Sequence, residues 1–192
     1  MSHRVIAGSA KGRKLKLVPG NSTRPIMDRV KEALFSIIGR DIIDSHMLDM
    51  FAGTGAVGIE ALSRGAEHVT FTDLDRMAVK TIHENLKITN FAQNATVKRV
   101  DALNMIKGTP TKQFDFIYVA PPQYKGLWLT ALQYLDSNIH WLKSDGTIII
   151  QIDPSERQDI VLTYLHDYKT RFYGKTLLEF YSIHDNGEKA NK

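Results

Sequence analysis

Asp49-Met50-Phe51-Ala52-Gly53-Thr54-Gly55-Ala56-Val57-Gly58 carries the pattern G-x-G-x-x-G at positions 53, 55 and 58, after an apolar run and before a helical one. Glycines so spaced let the chain turn tightly and bring its backbone close to a nucleotide at the start of a helix. Alone the pattern is weak. It gains weight from Asp73, 20 residues after Gly53 at the end of the next β-branched run, where a carboxylate can accept both hydroxyls of a ribose.

An NAD-binding domain shares these features, and three observations tilt against it. A 45-residue segment precedes the strand, Asp49 sits just ahead of the loop, and Asp101 follows the third strand. Successive carboxylates suit a ligand with a ribose, an adenine amine and a cationic end, and repel a pyrophosphate. S-adenosylmethionine has those parts. Asp101 could instead cap the helix that begins near Ala102, and Asp75 reads as the cap of the helix at Arg76.

Outward from this loop the chain alternates. Strands are expected at Met47 to Phe51, Val69 to Thr72, Thr96 to Val100, Phe114 to Val119 and Gly146 to Ile152; helices are expected from the glycine loop to Arg64, from Arg76 to Ile88 and from Leu127 to Leu135. Such alternation predicts a parallel sheet with helices on both faces, an α/β fold. Pro154 and Ser155 are read as starting a helix through Leu165. Lys169 to Tyr173 and Thr176 to Ile183 then flank a Gly174-Lys175 turn as a final antiparallel hairpin.

Ahead of the loop, Arg4 to Gly8 and Arg13 to Val18 predict a basic β-hairpin. The spacing of Ile26, Val30, Ala33, Leu34, Ile37 and Ile38 predicts an amphipathic helix from Pro25 to Gly39, with Asp28, Lys31 and Glu32 on its wet side. The expected organisation is a hairpin over 1–22, one catalytic domain over 23–184 and a flexible tail over 185–192.

The chain has 192 residues, 43% of them hydrophobic, which suits one packed domain. It has no cysteine, and its seven histidines fall at no metal-ligand spacing, so no metal is expected. It shows neither a membrane-spanning run nor a signal-peptide pattern, and a cytoplasmic location is expected. The net charge of +4 is uneven: residues 1–31 hold eight Lys and Arg against Asp28 alone, while the remainder is mildly acidic. Clustered cations of this kind suit a nucleic acid backbone, although a solvated basic hairpin would look the same.

Val119-Ala120-Pro121-Pro122-Gln123-Tyr124 closes the fourth strand with two prolines, which cannot extend a sheet ladder and so mark a rigid exposed loop. With it, the chain resembles the class I methyltransferases and, within them, the RsmD family, which methylates the exocyclic N2 of one guanine in small-subunit ribosomal RNA. The resemblance rests on R-V-I-A-G-x-x-K-G-R-K-L near the start, T-R-P-I-M-D-R-V-K-E-A-L-F from Thr23 to Phe35, the run from Asp49 to Ala66, and Tyr173-Gly174-Lys175-Thr176.

The resemblance implies a Rossmann-like, seven-stranded, mostly parallel sheet with an antiparallel last strand, and S-adenosylmethionine as cofactor. The methionine part would lie near Asp49 and Gly53, the ribose at Asp73 and the adenine near Asp101, with Phe51, Gly55, Leu74 and Ala102 beside them. It assigns the catalytic loop to Ala120, Pro121, Pro122, Gln123 and Tyr124, and RNA phosphates to Arg4, Lys11, Arg13, Lys14 and Arg24. The implied partner is 16S ribosomal RNA at guanine 966, naked or in an assembling 30S particle, bound by a monomer.

The family's loop reads D-P-P followed by Phe or Tyr; here Ala120 replaces the acid and Gln123 separates the prolines from Tyr124. That departure keeps open a second reading, an RNA-binding assembly factor without turnover. Adenine-N6 methylation of DNA is a third, and an NAD-dependent oxidoreductase a fourth.

Overall fold

A computed structural model describes residues 3–20 and 26–184. Seven strands form one sheet in the order β3-β2-β1-β4-β5-β7-β6. They are β1 His46–Asp49, β2 His68–Asp73, β3 Ala95–Arg99, β4 Phe114–Val119, β5 Leu142–Ile152, β6 Leu165–Tyr173 and β7 Thr176–Ile183. The pairs among β1 to β5 are parallel, and β7 runs antiparallel to both β5 and β6. The sheet is therefore mostly parallel with an antiparallel β7, as expected.

Helices cover both faces, so the central strands β1, β2 and β4 are largely buried, while the edge strands β3 and β6 carry polar, more exposed positions. Along β4 the side chains alternate: Phe116 and Tyr118 enter the core on one face, Ile117 and Val119 the core on the other. The first core also takes Val30, Leu34 and Phe35 of α1 (Asp28–Ile38), Ile59 of α2 (Ala56–Ser63) and Ile82 of α3 (Arg76–Thr89). The second takes Ile106 of α4 (Ala102–Lys107) and Trp128 and Leu132 of α5 (Leu127–Ser137).

Local signals set the helix ends. Gly39, at φ 65°, closes α1. Asp75 caps α3 by accepting the Met77 N–H, and Asn90 ends that helix in the left-handed region.

All eight residues of α2 are buried, because residues 3–20 lie over it. This segment is a shortened form of the expected hairpin: Arg4 and Lys14 bridge its arms, the Val5 N–H donates to the Arg13 carbonyl at 3.0 Å, and the Leu15 N–H donates to the His3 carbonyl at 2.8 Å. Other backbone groups of the segment turn to α2 instead. Ile6 and Ala7 donate their N–H groups to Glu60 at 2.8 and 2.9 Å, and Ala10 donates to Ser63 Oγ at 3.0 Å. Gly8 presses so closely that an added Cβ would fall 1.7 Å from the Ser63 carbonyl oxygen.

The same network corrects the placement of Lys31. It lies buried, not on the wet side of α1, donating to the Arg4 carbonyl at 2.6 Å and pairing with Glu60 at 3.3 Å. A helical period puts Lys31 beside Val30 and Leu34, and only the carboxylate of another helix makes its burial tolerable.

The helix expected from Pro154 to Leu165 is a single 3-10 turn, Pro154–Glu156. Buried Asp136 takes the N–H groups of Thr163, Tyr164 and Leu165 at 2.8 to 2.9 Å, which draws the chain out and starts β6 at Leu165. Thr23, Arg24, Pro25 and the tail 185–192 lie outside the described residues.

Candidate active site

Chain order reverses between β1 and β4, and in open α/β sheets ligands settle beyond the carboxyl ends of strands at such a switch point. A cavity of about 920 Å³ opens there. Asp49 follows from β1, Asp73 from β2 and Asp101 from the turn after β3, and all three line it.

The glycine loop is held from below by two of these acids. Asp49 Oδ2 accepts the Gly58 N–H at 3.1 Å, and Asp73 Oδ2 accepts the Gly53 N–H at 2.8 Å. Gly53 and Gly55 take φ values of 53° and 76°, which side chains rarely allow. A Cβ on Gly58 would lie 2.3 Å from Phe71 Cε1, so this glycine serves helix-to-strand packing. Asp73 Oδ1 accepts the Asp75 N–H at 2.9 Å, leaving its outer lone pairs to the cavity.

Asp49 is 1% exposed. Burial raises its carboxyl to about 7; the Gly58 N–H opposes the rise and the nearby charge of Asp73 adds to it. A buried anion so poised favours a cation as its neighbour. Asp101 has the capping role as well: Oδ1 accepts from Leu103 at 2.9 Å and Asn104 at 3.2 Å, while the residue stays on the cavity wall.

Phe51, Leu74 and Ala102 also line the cavity. Gly55 does not; it backs onto Ile82 and Phe71 behind the loop. Ala120, Pro121, Pro122 and Gln123 line the same cavity. Tyr124 stands outside its lining, 69% exposed and at φ 60°, with its N–H donated to Glu156 Oε2 at 2.7 Å.

Of the cationic residues, Arg4, Lys11, Arg13 and Lys14 are exposed on the amino-terminal segment, with Arg4 3.4 Å from Asp28. Arg24 is outside the described residues.

A family model described as conserved hypothetical protein 95 matches residues 3–182. The ribosomal RNA small subunit methyltransferase D of Escherichia coli is 33% identical over 187 residues, 96% of this chain and 92% of its own. The chain belongs to the RsmD family. The protein of the same description from Haemophilus influenzae is 37% identical over 78% of each chain, and YlbH of Bacillus subtilis is 42% identical over 86% of this chain and 93% of its own. A solved Escherichia coli structure, YhhF, aligns with a TM-score of 0.84 at 31% identity, covering 95% of this chain and 98% of that one. The fold is that of the class I methyltransferases.

Within this RsmD-family site several residues escaped the sequence reading. Tyr118 donates to Gln151 Oε1 at 2.6 Å, and both line the cavity with Thr176. The hydroxyl of Tyr118 in a buried strand was the one available hint. Ile26 and Met27, just ahead of α1, complete the rim. Thr54 of the glycine loop is held by His3 Nε2 at 2.8 Å and, through its carbonyl, by Asn85 at 2.9 Å. Among the described residues no helix is long and apolar enough to cross a membrane, and no three His, Asp or Glu side chains gather as a metal site.

Proposed function

We propose that this protein transfers a methyl group to the exocyclic N2 of a guanine in 16S ribosomal RNA, with guanine 966 as the site. The observation that carries the reading is that a single cavity is lined both by the three carboxylates and the glycine loop and by Ala120-Pro121-Pro122-Gln123. The donor set fits S-adenosylmethionine: a buried carboxylate for an ammonium, a second acid after β2 for a ribose and a third for an adenine amine.

When bound there, that cofactor supplies an electrophilic methyl on a sulfonium. Asp49, in its ionised form, anchors the cationic end. Asp73 offers its free lone pairs to the ribose, and Asp101 its second oxygen to the adenine.

On the substrate side, the amine lone pair of guanine is delocalised into the ring, so the loop has to accept hydrogen bonds from the amine and orient it. The carbonyls of Ala120 and Pro121 and the amide oxygen of Gln123 are the acceptors in this chain. Tyr124 presents its exposed ring at the rim, where an extruded base can stack. The amine proton leaves to water after transfer, so no strong base is required. The cations of residues 4–14 hold phosphates without reading bases. The site acts in the cytoplasm, as a monomer, on ribosomal RNA or an assembling 30S particle.

The test is transfer of labelled methyl groups to small subunits lacking the modification, with the product nucleoside identified. N2-methylguanosine at one position is expected. No transfer, by protein shown to bind cofactor and RNA, would favour the assembly factor that Ala120 keeps open.

Ala120→Asp restores an acceptor worth roughly 1.5–3 kcal/mol, and a rise in kcat of about 10- to 150-fold is expected. An unchanged or lower kcat would mean that the Gln123 insertion, with Tyr124 held by Glu156, has reshaped the loop.

A further inference from the structure

Arg76, Lys80, His83 and Lys87 recur at i, i+4, i+7 and i+11 along α3, and all four are exposed. The opposite face of the helix, with Ala78, Ile82, Asn85 and Leu86, is buried. Such a stripe on a lone helix would be an ordinary solvated face. Here it has a neighbour that changes its meaning.

The amino-terminal segment is docked along the flank of α3 by backbone geometry. The Lys16 N–H donates to Asn85 Oδ1 at 2.7 Å, and Asn85 Nδ2 returns a bond to the Lys16 carbonyl at 3.1 Å. Lys16 Nζ reaches Glu84 Oε2 at 2.9 Å. Glu84 is the one acid within α3, and Lys16 neutralises it. The cations of the segment and those of the helix therefore adjoin with no unpaired carboxylate of α3 between them. At the other end, Asp75, one residue before Arg76, lines the cavity, so the stripe starts at the site's rim and runs about 16 Å along the helix.

We propose that the exposed face of α3, through Arg76, Lys80 and Lys87, is a second phosphate-binding surface that holds the RNA backbone beside the amino-terminal segment as it leaves the active site. The proposal rests on the RNA-directed reading above. Its chemistry is that of phosphate neutralisation, in which each contact releases condensed counterions and adds roughly 0.7–0.9 to the slope of log affinity against log salt.

The experiment measures binding of the intact protein to naked 16S ribosomal RNA between 50 and 200 mM salt, conditions that resolve such slopes. Lys80→Gln with Lys87→Gln is expected to reduce the slope by about 1.4–1.8 and to weaken binding roughly 25- to 60-fold at 0.1 M salt, with the melting temperature and cofactor affinity unchanged. Glu84→Gln is expected to move the other way, tightening binding by freeing Lys16.

An unchanged slope in the double variant, when Arg13→Gln with Lys14→Gln does lower it, would overturn the proposal and leave the segment as the whole RNA contact. Absence of methyl transfer with the predicted loss of slope would instead sink the guanine reading and support the α3 surface.

Discussion

Asp49→Asn is expected to stabilise the protein without cofactor and to cripple cofactor binding, two effects of opposite sign from one buried charge. The Asp49 carboxyl is fully buried and raised to about 7, against an ordinary 3.8. An acid raised on folding holds its proton in the native state after the unfolded chain has released it. Its contribution to stability is complete below about pH 4 and is lost as pH rises through 7.

Asparagine keeps an oxygen for the Gly58 N–H and removes the charge. The variant is therefore expected to match wild type near pH 4 and to exceed it by about 2–4 kcal/mol at pH 8, measured by denaturant unfolding. A variant less stable at pH 8 would mean that the charge is better solvated than its burial implies.

Cofactor binding should move the opposite way. The ionised form of Asp49 faces the cationic end of the ligand, so losing it costs about 10- to 150-fold in affinity at pH 8. In wild type the affinity should fall about tenfold per pH unit below 7, because protonation of Asp49 competes with the cation. Calorimetric titration at pH 6 and 8 measures both. A pH-independent affinity would place the cation elsewhere.

The second large effect is expected at Lys31. Its ammonium and the Glu60 carboxylate are 1% and 0% exposed, and Arg64 is the only other cation paired with Glu60 among the described residues. Burial lowers the Lys31 ammonium, and Glu60 draws it back up by charge and hydrogen bond. Removing one member of such a set strands the other in the core at a cost of about 3–5 kcal/mol.

Lys31→Ala is therefore expected to lose about 3 kcal/mol, the low end because Arg64 remains. It also takes the donor from the Arg4 carbonyl, so the segment over residues 3–20 should loosen and RNA affinity fall with stability. Glu60→Gln added to Lys31→Ala should recover part of the unfolding energy, since the buried carboxylate is removed while Arg64, whose side chain is 20% exposed, keeps access to water. A single variant within 0.5 kcal/mol of wild type would show that water reaches Glu60.

Local chemistry explains what the sequence determined by itself. Strand and helix alternation and the helix caps at Asp75 and Asp101 depend on neighbours a few residues apart, and the glycine loop and the acids that close the first strands are readable from their fixed spacing along the chain. The family motifs likewise lie within short runs.

Tertiary structure decided the partners of groups whose local alternatives were equally good. Val5 and Leu15 pair across the amino-terminal hairpin, but the N–H groups of Ile6, Ala7 and Ala10 go to Glu60 and Ser63, more than 50 residues away, in a buried site. Lys31 and the stretch before Leu165 changed character for the same reason, each captured by a carboxylate from a distant helix. A backbone or charged group leaves water only where a partner is already fixed in place, and packing alone supplies that partner.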